Sequence, residues 1–340
     1  MKKLDVKSKS IKWINALELE TTERGGIIPL RYKKSEISRM DKMIPIARMS
    51  TSIELQVQGR FRKIEITLRL VNSDGFGFAG EWRWGHFKVL PHWRLENDFT
   101  KIQKLSAGLP PAPEKNCPLR LLLPTHCEIE FLEIHTDETP DEDFKTYDYS
   151  QIPGAKALRW LVYGDSITQG ANCSTPSNTW VDIVSRKLGL KTTNIAIGGH
   201  GRAELVIAEA IAARNDFDML SLHMGANALN EMEFAERLKK FILIIREKHP
   251  SEKIFVATPI IHIPENFFDS ISDKLRDTRL RMGKSVMELQ NSGDENLHLL
   301  DGNKILGDTR GMLRDMVHLD DFGMSRYAGN LMKLMAPFLK

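Results

Sequence analysis

Gly164-Asp165-Ser166 closes an apolar run, Leu158 to Tyr163, and far along the chain Asp315 and His318 stand three residues apart. A serine hydroxyl is a poor nucleophile until a base takes its proton. Histidine, with an ordinary pKa near neutrality, is the natural base. An aspartate three residues earlier on the same turn can accept a bond from the other imidazole nitrogen, which sets the tautomer and stabilises the imidazolium. Together the three would attack a carbonyl carbon and carry an acyl group. Two other stretches, Asn194-Ile-Ala-Ile-Gly-Gly-His-Gly201 and Leu222-His-Met-Gly-Ala-Asn227, also end apolar runs in glycine and asparagine. Each has a plainer reading alone. Asp165 or Ser166 would cap a helix, His318 would sit at a helix start, Asn227 would be a turn residue and Gly199 a helix-entry glycine. Joint coincidence of all four at one sheet edge is the harder thing to arrange.

The elements that would bring them together follow from the hydrophobic period. After an acidic, proline-bearing run, Thr136-Asp-Glu-Thr-Pro-Asp-Glu-Asp143, strand-like runs alternate with helical stretches. Strands are expected at 158–163, 192–197, 217–223, 253–258 and 296–300. Helices are expected near 176–188, 202–214, 230–248, 272–290 and 323–339. This alternation implies a flavodoxin-like parallel α/β sheet with helices on both faces. The four stretches then fall at the carboxyl ends of strands, where such sheets bind ligands.

The first half reads differently. Ser52 to Gln58 and Lys63 to Arg69 alternate apolar and polar residues around Gly59, as a hairpin would. Leu119 to Leu123 and Cys127 to Ile134 repeat the pattern around Pro124-Thr-His126. No helix is expected here, and Lys101 to Lys115, with Pro110 to Pro113, reads as a loop. The expectation is an all-β, jelly-roll-like sandwich over 1–150 followed by the α/β domain over 151–340. Gly75 to Gly85, rich in glycine and aromatics, is assigned to sandwich core and tight turns in preference to a sugar-stacking face.

The composition, 41% hydrophobic and 27% charged with a net charge of +3, is that of an ordinary soluble domain protein. The charge is too small and too dispersed to suggest nucleic acid. The absence of a signal-like or membrane-length apolar run leads to the expectation of a cytoplasmic protein without membrane partners. Three cysteines, Cys117, Cys127 and Cys173, are expected as free thiols, and the ten histidines show no ligand spacing, so neither metal nor cofactor is expected. Arg202, next to the glycine stretch, is expected in a surface ion pair, and His200 and His223 are kept out of the catalytic set.

The four blocks resemble those of the SGNH hydrolases, also called GDSL esterases and lipases. Gly164-Asp-Ser-Ile-Thr-Gln-Gly170 resembles the serine block, Asn194 to Gly201 the glycine block, Gly225-Ala-Asn227 the asparagine block, and Asp315-Met-Val-His318 the Asp-x-x-His block. The resemblance implies Ser166 as nucleophile and Asp315 and His318 as its partners, with the Ser166 and Gly199 N–H groups and the Asn227 amide forming an oxyanion hole. Ala228 stands where the family often has aspartate, and Ile167 where it usually has leucine. In the first half, Gly26-Ile-Ile-Pro-Leu-Arg31 and Leu123-Pro124 resemble the sandwich of two-domain SGNH enzymes, among them an acyltransferase of a polyketide pathway. The loop Thr258 to Glu265 resembles the same subgroup. The activity implied is cleavage of a carboxylic ester on a small molecule or saccharide. The alternatives are acyl transfer to a hydroxyl and, on the sandwich aromatics alone, noncatalytic glycan binding. The sandwich could equally cover the site or make a homo-oligomer, and a loop from it, Gly75 to Gly85, could shape the acyl or alcohol pocket.

Overall fold

The computed structural model describes residues 1–114 and 116–339. Five short strands form a wholly parallel sheet in the order Lys191–Asn194, Arg159–Gly164, Met219–His223, Lys253–Ala257, Leu297–Leu300. The first strand in sequence is therefore internal, and the second lies outside it, so the chain turns about at its carboxyl end. Helices Leu205–Ala212, Phe234–Arg246 and Asp269–Asn291 pack on one face. Trp180–Leu188, Gly302–Leu306 and Asp321–Met335 pack on the other. The central strands are buried along their length because both faces are covered. The fold class is the expected one, with strand and helix ends displaced by a few residues.

The first half is built of two six-stranded antiparallel sheets around a core that includes Leu55, Ile66, Leu68, Trp82, Trp84, Leu121 and Phe131. Neither expected hairpin forms. Glu54–Val57 pairs with Leu119–Leu122 in one sheet, and Lys63–Ser73 pairs with Cys127–Thr136 in the other. Alternation dictates which residues face inward but not which layer a strand joins. Residues 58–62 and 123–126 are thus steps between layers, not turns within one. Two further expectations fail. Ile102–Gly108 is a strand on the edge of the sheet that holds Cys127–Thr136, paired with Lys63–Ser73, and its mostly exposed side chains hid it. Lys115, at the end of that expected loop, lies outside the described residues. Lys34–Ile37 and Ile44–Ala47 are single helical turns, too short to show a 3.6-residue period.

These turns matter because side chains from residues 28–47, beginning in the sandwich strand Ile27–Leu30, join the core of the parallel sheet. Ile28, Leu30, Tyr32, Ile37, Met40 and Met43 pack with Leu161, Ile195, Ile197 and Ile207. Arg31 is fully buried between the halves, and among the described residues its side chain has only carbonyl partners. It donates to Met49 O at 2.9 Å, Ile46 O at 2.9 Å and Ala196 O at 2.7 Å. Burial without a carboxylate pulls its pKa down to about 10. Beside it the Tyr32 hydroxyl donates to Ile195 O at 2.5 Å. The sandwich therefore grips the backbone that leads into the glycine stretch. Among the described residues, no helix is long and apolar enough to cross a membrane.

Candidate active site

Strand Arg159–Gly164 stops because Gly164 leaves no room for a side chain. A Cβ there would lie 2.4 Å from Thr168 Oγ1 and 2.6 Å from the His223 carbonyl. The chain enters a single helical turn, Ser166–Gln169, capped by Asp165, whose carboxylate accepts from the Ile167 N–H at 3.0 Å and the Thr168 N–H at 3.4 Å. Both plain and chemical readings of this tripeptide hold at once: Asp165 is the cap and Ser166 is presented. Burial pushes Asp165 up to about 6 against these bonds. As the first residue of the turn, Ser166 has a backbone N–H with no intrahelical acceptor.

The Ser166 hydroxyl lies 2.7 Å from His318 Nε2, and His318 Nδ1 lies 2.9 Å from Asp315 Oδ2. The other Asp315 oxygen accepts the backbone N–H groups of Val317 at 3.0 Å and His318 at 2.9 Å. Burial opposes the charge of Asp315, but these bonds and the imidazole hold its carboxyl below the usual value. Since Asp315 Oδ2 accepts, Nδ1 carries the proton and Nε2 is left to receive one from Ser166. Asp320 caps the final helix by accepting the Gly323 N–H at 2.8 Å, which places His318 just before a rigid element.

The glycine stretch folds over the serine turn. The Gly198 N–H donates to Gln169 Oε1 at 2.7 Å, and the position of a Gly198 Cβ is 3.5 Å from Ser166 Cβ. Gly199 follows at φ +74°, a left-handed conformation that favours glycine. Among the described residues its N–H has no protein acceptor. Asn227 lines a cavity of about 330 Å³ together with Ser166, Ile167, Leu229, Ile271 and Val317. One Asn227 amide proton goes to the His200 carbonyl at 2.8 Å. All five expected residues are thus at the carboxyl edge of the sheet. Ser166, His318 and Asp315 are in direct contact, and Asn227 shares the serine's cavity. The arrangement can move a proton off one hydroxyl and present donors to a developing negative charge.

Ala228, in the family's usual aspartate position, is buried at 2% exposure, so packing fills the place of that polar group. Arg202 pairs with Glu231 at 2.5 Å, as expected of it. His223 is buried, with Nδ1 2.6 Å from the Tyr327 hydroxyl, and burial lowers it to about 3. Cys127 and Cys173 are buried free thiols, and Cys117 is a half-buried one.

Two contributors escaped sequence reasoning, and a third was foreseen only as part of the loop Gly75 to Gly85. Gln169, inside the serine block, joins the glycine turn to the sandwich through Thr125 O at 3.1 Å. Arg279 clamps the cavity-wall loop after Lys253–Ala257, donating to Pro259 O and Ile260 O and pairing with Glu265 at 2.7 Å. Phe76 is the third. Trp82 and Trp84 of the aromatic stretch are core, as expected, but Phe76 leaves the sandwich and faces His318, with centroids 5.3 Å apart.

Residues 157–336 match the sequence model of the GDSL-like lipase/acylhydrolase family. No curated protein in the comparison matches the chain by sequence. Among solved structures, the chain is similar to the salicylyl-acyltransferase SsfX3 from a tetracycline biosynthetic pathway. The TM-score is 0.84 at 20% identity, covering 99% of this chain and 97% of that one. It is similar also to a candidate GDSL-like lipase from Bacteroides ovatus, with TM-score 0.73, 20% identity and coverage of 97% and 98%. A family two carbohydrate esterase from Clostridium thermocellum, solved with cellohexaose, gives TM-score 0.64 at 12% identity, covering 96% and 99%. At these identities the likeness is one of fold, and it extends over both halves of the chain.

Proposed function

The chain belongs to the GDSL-like lipase/acylhydrolase family, and from that premise we propose that it is a serine esterase cleaving a short acyl or acetyl ester. The observation that carries the reading is the unbroken relay Ser166–His318–Asp315, at 2.7 Å and 2.9 Å. His318 Nε2 takes the Ser166 proton as Oγ bonds to the ester carbonyl carbon. The resulting oxyanion accepts from the Ser166 and Gly199 N–H groups and from the Asn227 amide. The imidazolium then gives its proton to the leaving alkoxide, and an acyl-Ser166 remains. Water, deprotonated by the same nitrogen, bonds to the acyl carbon; the Oγ–C bond breaks, the acid leaves, and the imidazolium returns its proton to Ser166 Oγ. The cavity beside Ser166, walled by Ile167, Leu229, Ile271 and Val317, suits a short acyl chain.

Transfer to a hydroxyl acceptor uses the same first half-reaction and differs only in what reaches the acyl-enzyme. Both halves of the chain share their fold with the salicylyl-acyltransferase as well as with carbohydrate esterases, so the acyl acceptor is a matter for product analysis. The expected outcome is that the protein turns over p-nitrophenyl acetate, that Ser166→Ala abolishes this with the thermal transition preserved, and that free acetate dominates the products even with added sugars or alcohols. An active Ser166→Ala variant would overturn the assignment. Dominant acetylated alcohol would replace hydrolysis by transfer.

A further inference from the structure

We propose that Phe76 is a positioning residue for His318, holding the imidazole in line with Ser166 from the other half of the chain; the proposal rests on the acyl-transfer reading above. His318 lies in the stretch between the helices Gly302–Leu306 and Asp321–Met335, where Arg314, Asp315 and Met316 are exposed. Its bonds to Asp315 are internal to that loop, and the Asp315 side chain is 40% exposed. Asp315 therefore fixes how the ring is turned relative to the loop. It does not stop loop and ring from moving together. The loop backbone is tied to the cavity wall by the Ile263 N–H, which donates to Met316 O at 3.3 Å; a contact made to the ring itself and anchored outside the loop restrains the imidazole further.

Phe76 is so anchored. Its ring is tilted 43° to the His318 ring at 5.3 Å between centroids. Its carbonyl accepts from the Asn172 N–H at 3.0 Å, which ties it to the segment just after the serine turn. Its own N–H donates to Asp74 Oδ1 at 3.2 Å. The other Asp74 oxygen lies 2.8 Å from Nδ1 of His126, a fully buried histidine whose ring meets the Phe76 ring edge-on at 5.8 Å. Among the described residues the His126 Nε2 has no hydrogen-bond partner, so that end of the ring serves packing. Asp74, His126 and Phe76 thus form a brace rooted in the sandwich, with the Phe76 ring as its tip. A ring in van der Waals contact limits the sideways swing of the imidazole, and a displacement of about 1 Å at a reacting group costs up to ~100-fold in rate. The sandwich thereby completes the active site, in addition to packing against it.

The test compares Phe76→Ala, Phe76→Leu and Phe76→Tyr in the full chain, with p-nitrophenyl acetate as the substrate too small to need a remote subsite. Phe76→Ala is expected to lower kcat about tenfold to a hundredfold while KM stays within about threefold of the parent. Reaction of Ser166 with a fluorophosphonate should slow by a similar factor, since it reads the serine–histidine pair directly. Phe76→Tyr restores the flat ring and should recover kcat to within about threefold. Phe76→Leu keeps apolar bulk without the flat ring and should fall between; it serves also if the alanine variant does not fold. The proposal is overturned by unchanged kcat in both Phe76→Ala and Phe76→Leu. It is overturned equally by a loss confined to KM, which would mark a substrate-stacking surface, or by a tyrosine variant as impaired as alanine. Ser166→Ala run in parallel separates the two levels: residual wild-type turnover there refutes the acyl-enzyme reading itself, whatever Phe76 does.

Discussion

Asn227→Ala should cost turnover without costing substrate affinity, and the size of the effect follows from how the amide is held. Its nitrogen has two protons. One is committed to the His200 carbonyl at 2.8 Å, which orients the group. The other is free to meet an oxyanion in the cavity that Asn227 shares with Ser166. Deletion removes a preorganised donor whose partner becomes charged only in the transition state, so kcat should fall by about 10²–10³, equivalent to about 3–4 kcal/mol. KM should barely move, because the ground-state carbonyl makes little of this bond. The loss of the bond to His200 should cost about 1 kcal/mol of stability, visible as a small shift in the thermal transition. Asn227→Asp should be worse than alanine. It keeps the shape but sets one carboxylate oxygen against the His200 carbonyl and adds negative charge where the oxyanion forms. The assay is steady-state turnover of p-nitrophenyl acetate beside a thermal melt. A folded Asn227→Ala enzyme within threefold of the parent kcat would refute the assignment of the amide to the charge cradle.

Other outcomes follow from the same geometry. Burial holds His223 at about 3 and His262 at about 4, against about 6.5 for an unfolded histidine. Both folded values are depressed, so this stability is complete above pH 6.5 and drains away between pH 6.5 and about 3–4, as the unfolded chain binds protons that the fold refuses. Acidification from pH 7 to 5 should cost about 2 kcal/mol per histidine, and His223→Gln should flatten that slope in melts across this range. Arg31→Met should strand the carbonyls of Met49 and Ala196 and destabilise the chain by about 2–6 kcal/mol in urea unfolding. Arg31→Lys should be nearly as damaging, because a point ammonium cannot serve the same fork of acceptors.

The catalytic half was legible because its signals are local. Each apolar run ends in residues whose type is dictated there, such as Gly164, which no side chain can replace without meeting Thr168. Three such ends at strand termini, with Asp315 and His318 on the loop before the last helix, specify a single sheet edge. The sandwich was legible only as alternation. That pattern identifies inward residues such as Leu55 and Ile66 but is silent on which of two layers each belongs to, and so both hairpins were misjudged. The contribution of the sandwich to the site was legible only as a loop, Gly75 to Gly85, and not as a residue. Phe76 sits among glycines and other aromatics that are core, and only its position in space separates it from Trp82 and Trp84. Arg31, a charged residue after an apolar stretch, reads as a surface residue until its four-sided burial is seen.

The central claim is that Ser166 is made reactive by His318, and labelling tests it most directly. The protein would be treated with a fluorophosphonate, digested, and the modified peptide located by mass spectrometry in parent and His318→Ala chains. A single adduct on Ser166, formed at least a hundredfold more slowly without the histidine, is the predicted result. An adduct on another residue, or labelling of Ser166 at an unchanged rate in His318→Ala, would contradict the account.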